Sequence, residues 1–316
     1  MKQNDQYSCS VVIPTKNGGR LFERVLCGLQ AQTCWADVQL IVVDSGSNDG
    51  TPDLARQFGA LVHEISPEQF NHGATRDFGI SLAASENVIL LVQDAVPHNA
   101  DLLRNLVAAL KEPGVAAAYA RQIPQANADI LTKRNLNGWL TGRSMREVRI
   151  LKSADDYDNF PPLEKYYFCN FDNVCSAIRK PVWEKMKFGT VNFGEDIDWA
   201  ERVLKAGYTI IYEPDAAVVH SHDRPLEYEY KRTYVCHIKL FRQFGLRTVP
   251  GIKQAIFAWI RASARDIMYV MHNEKRFVPK LKMTLKVPIL NLLSVLAQYR
   301  AAKDELSGIE RKIQGV

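Results

Sequence analysis

At 316 residues, with 47% hydrophobic and 24% charged residues, the chain has room for about two domains and falls outside the disordered and collagen-like classes. Its six cysteines (9, 27, 34, 169, 175 and 236) form no C-x-x-C pair, which argues against a zinc ribbon and for reduced thiols in a cytosolic setting. The net charge of +5 is unevenly spread: residues 231–316 hold 17 Lys/Arg against 5 Asp/Glu, while residues 1–230 hold 23 against 30.

From residue 8 to 120, short apolar runs alternate with amphipathic stretches. The runs are Ser10–Pro14, Gln39–Asp44, Ala60–Ile65 and Asn87–Val92, and helical patterns cover 20–32, 51–58, 74–84 and 100–111. This alternation predicts βαβ units and a mostly parallel sheet covered on both faces. Ligands of such sheets lie beyond the carboxyl ends of the strands. That directs attention to Thr15–Gly19, Asp44–Gly50 and Gln93–Pro97. Residues 125–168 read as an inserted lobe or long loop. Asn173–Ile178 predicts a strand, Pro181 opens a helix, and Gly194–Gly207 predicts another. Tyr208–Tyr212 and Ala216–His220 read as closing strands. From 227 on the pattern is helical and basic, with apolar residues at helical spacing in 255–271 and 281–299.

Several loops carry chemistry. Asp44-Ser-Gly-Ser-Asn-Asp-Gly-Thr51 suits a tight turn; it is neither a P-loop nor a dinucleotide fingerprint. A carboxylate at such a strand end accepts from a nucleobase N–H or a ribose hydroxyl. His72 and Arg76, four apart, share a helix face, and Arg76 offers a planar fork to a base carbonyl or phosphate; a surface Arg beside a capping Asn is the plainer alternative. Asp94 closes the most apolar strand, where a carboxylate calls for a cation or several donors. Glu195 and Asp196 open a helix. They serve either the macrodipole or an acceptor as general base, kept ionised by that dipole. His220 and His222 are two apart on an extended segment, so only one is expected to face the site.

Together, residues 9–225 resemble the family-two, inverting GT-A glycosyltransferases. Val11-Val-Ile-Pro-Thr-Lys-Asn17 resembles their opening strand and loop, and Val43–Thr51 their Val-Asp-Asp-Gly-Ser-x-Asp-Gly-Thr signature. Thr75–Gly79 is similar to their Ala-Arg-Asn-x-Gly segment, and Gly194-Glu-Asp196 to their acceptor-activating pair. Phe70–Gly73, Gln93–Pro97, Phe171-Asp-Asn-Val174 and Glu195–Ala200 resemble the rhamnosyltransferase branch. The usual Asp-x-Asp is replaced here by Asp94-Ala95-Val96, and Val96 cannot bind a metal.

The resemblance implies a Rossmann-like GT-A domain over 1–226, with a nucleotide-binding half at about 8–122 and an acceptor half at about 123–226, followed by a basic helical region over 227–316. It implies dTDP-L-rhamnose as donor and a glycan or lipid-linked glycan as acceptor. Donor contacts fall to Pro14, Thr15, Lys16, Asn17, Asp44, Ser45, Gly46, His72, Arg76, Gln93, Asp94, Ala95, Asn173 and Arg224. Asp196 with Glu195 forms the catalytic pair, and Asp94 with His222 the ligands of a Mg²⁺ or Mn²⁺ ion. Other readings share parts of the pattern: a UDP- or GDP-sugar donor, a nucleotidyltransferase, or a non-catalytic nucleotide- or glycan-binding module.

The basic tail suggests an anionic partner. The acidic front disfavours nucleic acid. No signal-like segment opens the chain, and the longest nearly apolar run, Val287–Ala297, is too short to span a bilayer and holds Pro288 and Asn291. A cytoplasmic protein is therefore expected, with the tail helix lying at the inner face of the membrane, or else packing its apolar stripe on the catalytic domain.

Overall fold

The four apolar runs fold as β1 (Cys9–Thr15), β2 (Val38–Asp44), β3 (Leu61–Glu64) and β4 (Asn87–Leu91), paired in parallel in the order β3-β2-β1-β4. The coordinates are a computed structural model that describes residues 8–222 and 225–311. Helices α1 (Gly19–Gln30), α2 (Thr51–Gln57) and α3 (His72–Ser81) make the crossovers. α1 buries Phe22, Val25, Leu26 and Leu29 at helical spacing, in one core with Val11 and Ile13. Val12 points to the other face of β1, as strand alternation requires. There Gly79 of α3 comes so close that an added Cβ would sit 2.3 Å from Val12 Cγ1. Both faces of the parallel half are thus covered.

The sheet continues beyond this half. β5 (Val96–Pro97) and α4 (Leu102–Leu110) lead into β6 (Val115–Ile123), a buried strand whose Ala-rich start carries little β signal. Residues 125–168 hold regular structure rather than a long loop: α5 (Ile130–Gly138), β7 (Glu147–Arg149), α6 (Ala154–Asp158) and α7 (Pro162–Phe168). β8 (Cys175–Arg179) runs antiparallel between β4 and β6. α8 (Lys180–Lys185) and α9 (Glu195–Lys205) follow. The two closing runs are one strand, β9 (Thr209–Val219), parallel to β6 with a register shift where Glu213-Pro214-Asp215 bulges. Pro214 has no N–H to give the ladder, which accounts for the apparent break. The full order is β3-β2-β1-β4-β8-β6-β9-β5, with β7 on β9.

The chain forms two compact units. One runs to Gln125 and takes in Leu136–Phe160 and Tyr167–Ser221, and so contains the sheet. The other takes Ala126–Asn135, Pro161–Tyr166 and the chain from His222 on. It is built on α10 (Leu226–Phe244), α11 (Ile252–Asn273) and α12 (Phe277–Leu306). Its interior joins Val270 to Met283, Val287 and Leu131, and Tyr234 to Ala297 and Ala301. Among the described residues no helix is long and apolar enough to cross a membrane.

Candidate active site

Three loops at the carboxyl ends of β1, β2 and β4 are sewn together. Asp44, fully buried at the end of β2, accepts from Gly46 N (3.0 Å) and Ser47 N (2.8 Å) through Oδ1. Its Oδ2 accepts from the hydroxyls of Thr15 (2.8 Å) and Ser47 (2.5 Å). Ser45 Oγ donates back to Thr15 O (3.0 Å). Asn17, at φ 49° in the left-handed region that Asn tolerates, donates its N–H to Ser47 Oγ (2.7 Å) and accepts from Asn48 N (2.9 Å). Gln93 clasps the β1 loop from the other side: its Oε1 accepts from Lys16 N (2.8 Å) and its Nε2 donates to Lys16 O (3.1 Å). Pro14 and the exposed Lys16 thus sit on a fixed shelf, while the adjacent Ala95 is fully buried.

The second cluster joins α3 to the start of α9. Arg76, expected to offer its fork to a donor, places Nη1 2.9 Å from Glu195 Oε1 and donates to His72 O (3.0 Å). Both members of the pair are buried, with side chains 8% and 7% exposed, so removing one would leave the other's buried charge uncompensated. His72 packs edge-on against Phe70 (5.0 Å), and burial lowers its pKa, which favours the neutral imidazole. Asn173 holds the two acids in place. Its Nδ2 lies 3.4 Å from Glu195 Oε1 and its N–H 3.5 Å from Asp196 Oδ2, while Ser176 Oγ fixes its own Oδ1 at 2.8 Å.

Asp196 is partly buried and accepts from Ile197 N (2.8 Å). Burial first, then the neighbouring carboxylates of Glu195 and Asp172, push its pKa up to about 8. The expectation that the helix dipole keeps it ionised is therefore overturned. An N-terminal dipole contributes roughly 0.3–1 kcal/mol at a surface, and desolvation plus two like charges outweigh it. The result is a carboxyl suited to proton transfer near neutral pH, as a general base requires. Asp172 escaped the sequence reading, although it lies in the quoted Phe171–Val174 motif. It accepts from Val174 N (2.8 Å) and from Gln122 Nε2.

A third cluster follows from Gln122. Because a carboxylate only accepts, Gln122 must turn its Nε2 to Asp172, so its Oε1 faces His220 Nδ1 at 2.9 Å and accepts a hydrogen bond from that N–H. His220 Nε2 lies 3.6 Å from Asp94 Oδ1. His222 follows directly on Ser221, the last residue of the sheet unit, and the ligand atoms of Asp94, His220 and His222 lie within 4.8 Å of one another. The expectation that only one of the two histidines faces the site is thereby corrected. β9 ends at Val219, so strand alternation no longer governs 220–222. One carboxylate and two imidazoles gathered this closely are a donor set that fits a divalent cation. Arg224 lies outside the described residues.

The α/β sheet thus gathers the Asp44 turn, the Asp196 carboxyl and the Asp94/His220/His222 cluster at the ends of its strands. Residues 10–164 match the profile of Glycosyl transferase family 2. The chain is 29% identical over 285 residues to the O-antigen chain rhamnosyltransferase RfbN of Salmonella typhimurium, covering 87% of this chain and 85% of that protein. The similarity to O-antigen chain rhamnosyltransferase WbaN of Salmonella anatum is of the same order: 29% over 289 residues, 88% of this chain and 85% of that one. In fold it resembles glucosyl-3-phosphoglycerate synthase of Mycobacterium tuberculosis, solved with UDP (TM-score 0.53, 19% identity, 79% of this chain and 86% of that). It also resembles a Pyrobaculum calidifontis mannosyltransferase, solved with GDP-Man and Mn²⁺ (TM-score 0.50, 19% identity, 98% and 77%).

Proposed function

We propose that this glycosyltransferase moves L-rhamnose from dTDP-L-rhamnose to a hydroxyl of a glycan acceptor carried on a lipid at the inner face of the membrane, inverting the anomeric carbon. Similarity over most of both chains to two O-antigen rhamnosyltransferases supports the sugar and the acceptor class. The observation that carries the chemistry is Asp196, a carboxyl raised to about 8 at the head of a helix.

In this reading, residues 1–226 are the catalytic domain, and the thymine and deoxyribose lie over Asp44, Ser45, Gly46 and the Pro14–Asn17 loop. Ionised Asp196 takes the proton of the acceptor hydroxyl as its oxygen attacks the anomeric carbon. The bond from that carbon to the diphosphate oxygen breaks on the opposite face. Glu195 is neutralised by Arg76 and helps position Asn173, and through it Asp196. Lys16 faces the leaving group as a mobile cation. Asp94, His220 and His222 would hold Mg²⁺ or Mn²⁺, which neutralises charge on the diphosphate when bound.

Release of nucleoside diphosphate from a panel of dTDP-, UDP- and GDP-sugars tests the proposal, with the anomeric configuration of the product read by NMR. dTDP-L-rhamnose is expected to be turned over fastest, with inversion. Preference for a UDP- or GDP-sugar would refute the donor, and release from none would favour a non-catalytic binding module.

A further inference from the structure

Helices α11 and α12 carry apolar side chains that their own unit does not use. On α11, Ile256, Phe257 and Ile260 are 54%, 65% and 56% exposed. On α12, Phe277, Leu281 and Leu285 are 76%, 50% and 66% exposed. The last three recur every four residues, so they stand in a row along one helix face. The opposite faces of both helices are occupied: Val270 packs with Met283 and Val287, and Ala255 with Val295. Rows of this kind exceed the scattered apolar residues of an ordinary soluble surface.

Charge identifies what covers them. Residues 252–292 contain eight Lys/Arg and two acids, Asp266 and Glu274. Both acids are buried and bonded, Asp266 to Arg134 and Arg265 (2.9 Å each) and Glu274 to Arg276 (3.1 Å). Lys253, Arg261, Lys275 and Lys282 are exposed. The outward surface of this segment is therefore apolar and cationic, without an exposed acid. A second copy of the chain would bring like charges together, whereas an anionic bilayer accepts both features at once: aliphatic and aromatic side chains enter below the headgroups and lysine and arginine meet the phosphates.

We propose that the outward faces of α11 and α12 seat on an anionic lipid bilayer, with both helices lying in the interface. The proposal deepens the reading of a lipid-linked acceptor, and its test is independent of that reading. The full-length protein is sedimented with vesicles of phosphatidylcholine alone and of phosphatidylcholine with one quarter phosphatidylglycerol. Binding is expected with the anionic vesicles at low salt, and it weakens in 0.5 M salt as the charges are screened. Leu281→Glu/Leu285→Glu is expected to lower partitioning at least tenfold. Each of Lys253→Glu and Arg261→Glu lowers it about fivefold or more, since roughly 1 kcal/mol per basic residue corresponds to that factor. These side chains are exposed, so thermal melting and soluble-donor turnover stay at the wild-type level.

Wild-type protein remaining in the supernatant with anionic vesicles at low salt would overturn the proposal. Unchanged binding by both the apolar and the charge variants would do so too. A dimer by light scattering that the Leu281/Leu285 variant converts to monomer, without vesicle binding by either, assigns the faces to a second copy instead. Vesicle binding without rhamnosyl transfer leaves this surface standing and sinks only the reading of the acceptor.

Discussion

Asp172→Asn removes a negative charge beside Asp196 and leaves the base itself in place. In the wild type the Asp196 carboxyl stands at about 8 against an ordinary 3.8. The ionised form is the active one, so kcat/KM is full above that value and lost as pH falls through it. Burial, Glu195 and Asp172 raise the pKa in that order of size. The third of three contributions to so large a shift is on the order of one unit, or about 1.4 kcal/mol. Removing it moves the acidic limb of the profile from about 8 toward about 7. At pH 7 the ionised fraction then rises from roughly a tenth to roughly a half, a gain of about fivefold in kcat/KM. The asparagine retains an acceptor for Val174 N–H, while its NH2 faces Gln122, whose amide must flip to accept it and then presents its own NH2 to His220. Nucleoside diphosphate release is measured from pH 5.5 to 9.5 at subsaturating donor. A limb that stays in place or moves to higher pH would refute the assignment of Asp196 and its electrostatic surroundings.

Asp196→Asn is expected to lower turnover by about 10²-fold or more with donor affinity retained by calorimetry. Because the folded pKa is raised, ionisation of this carboxyl costs stability as pH climbs from 4 to 8; the same variant should melt a few degrees higher than wild type at pH 9. Arg76→Met leaves Glu195 charged and buried without its partner, at a cost of about 3–5 kcal/mol in urea unfolding, and a loss under 1 kcal/mol would contradict the pairing. Excess chelator is expected to reduce turnover, with His220→Ala lowering the affinity for Mn²⁺ by about 10-fold or more in a direct binding titration; full activity in chelator would transfer charge neutralisation to Lys16. Gly73→Ala would set a Cβ 2.1 Å from Gly189 O, so α3 must shift and both melting temperature and kcat fall. Unchanged kcat would separate the entry of α3 from the acid cluster.

In the parallel half, β1, β2 and β4 were legible because they are largely buried and read as apolar runs, punctuated by Gly, Ser, Asn and Asp at β1 and β2 ends. The acid pair that opens α9 and the Asp44 turn were legible for a related reason: turn and cap residues leave local marks. β6 was not, since alanine carries weak strand preference and only its neighbours β8 and β9 make it a strand. Nor was the continuity of β9, where Pro214 imitates a strand end.

Local pattern could determine which residue types stand at each strand end, because period and turn chemistry act over a few positions. It could not determine their electrostatics, which depend on groups far apart in the chain. Arg76 meets Glu195 across 119 positions only once α3 and α9 converge. Asp94 meets His220, and Gln122 links His220 to Asp172, because β6, β8 and β9 are adjacent in one sheet. Sequence spacing alone placed Asp196 at a helix start and assigned it the charge that a helix dipole favours. The folded chain surrounds that carboxyl with two others and takes it out of water, and in a medium of lower dielectric those terms exceed the dipole.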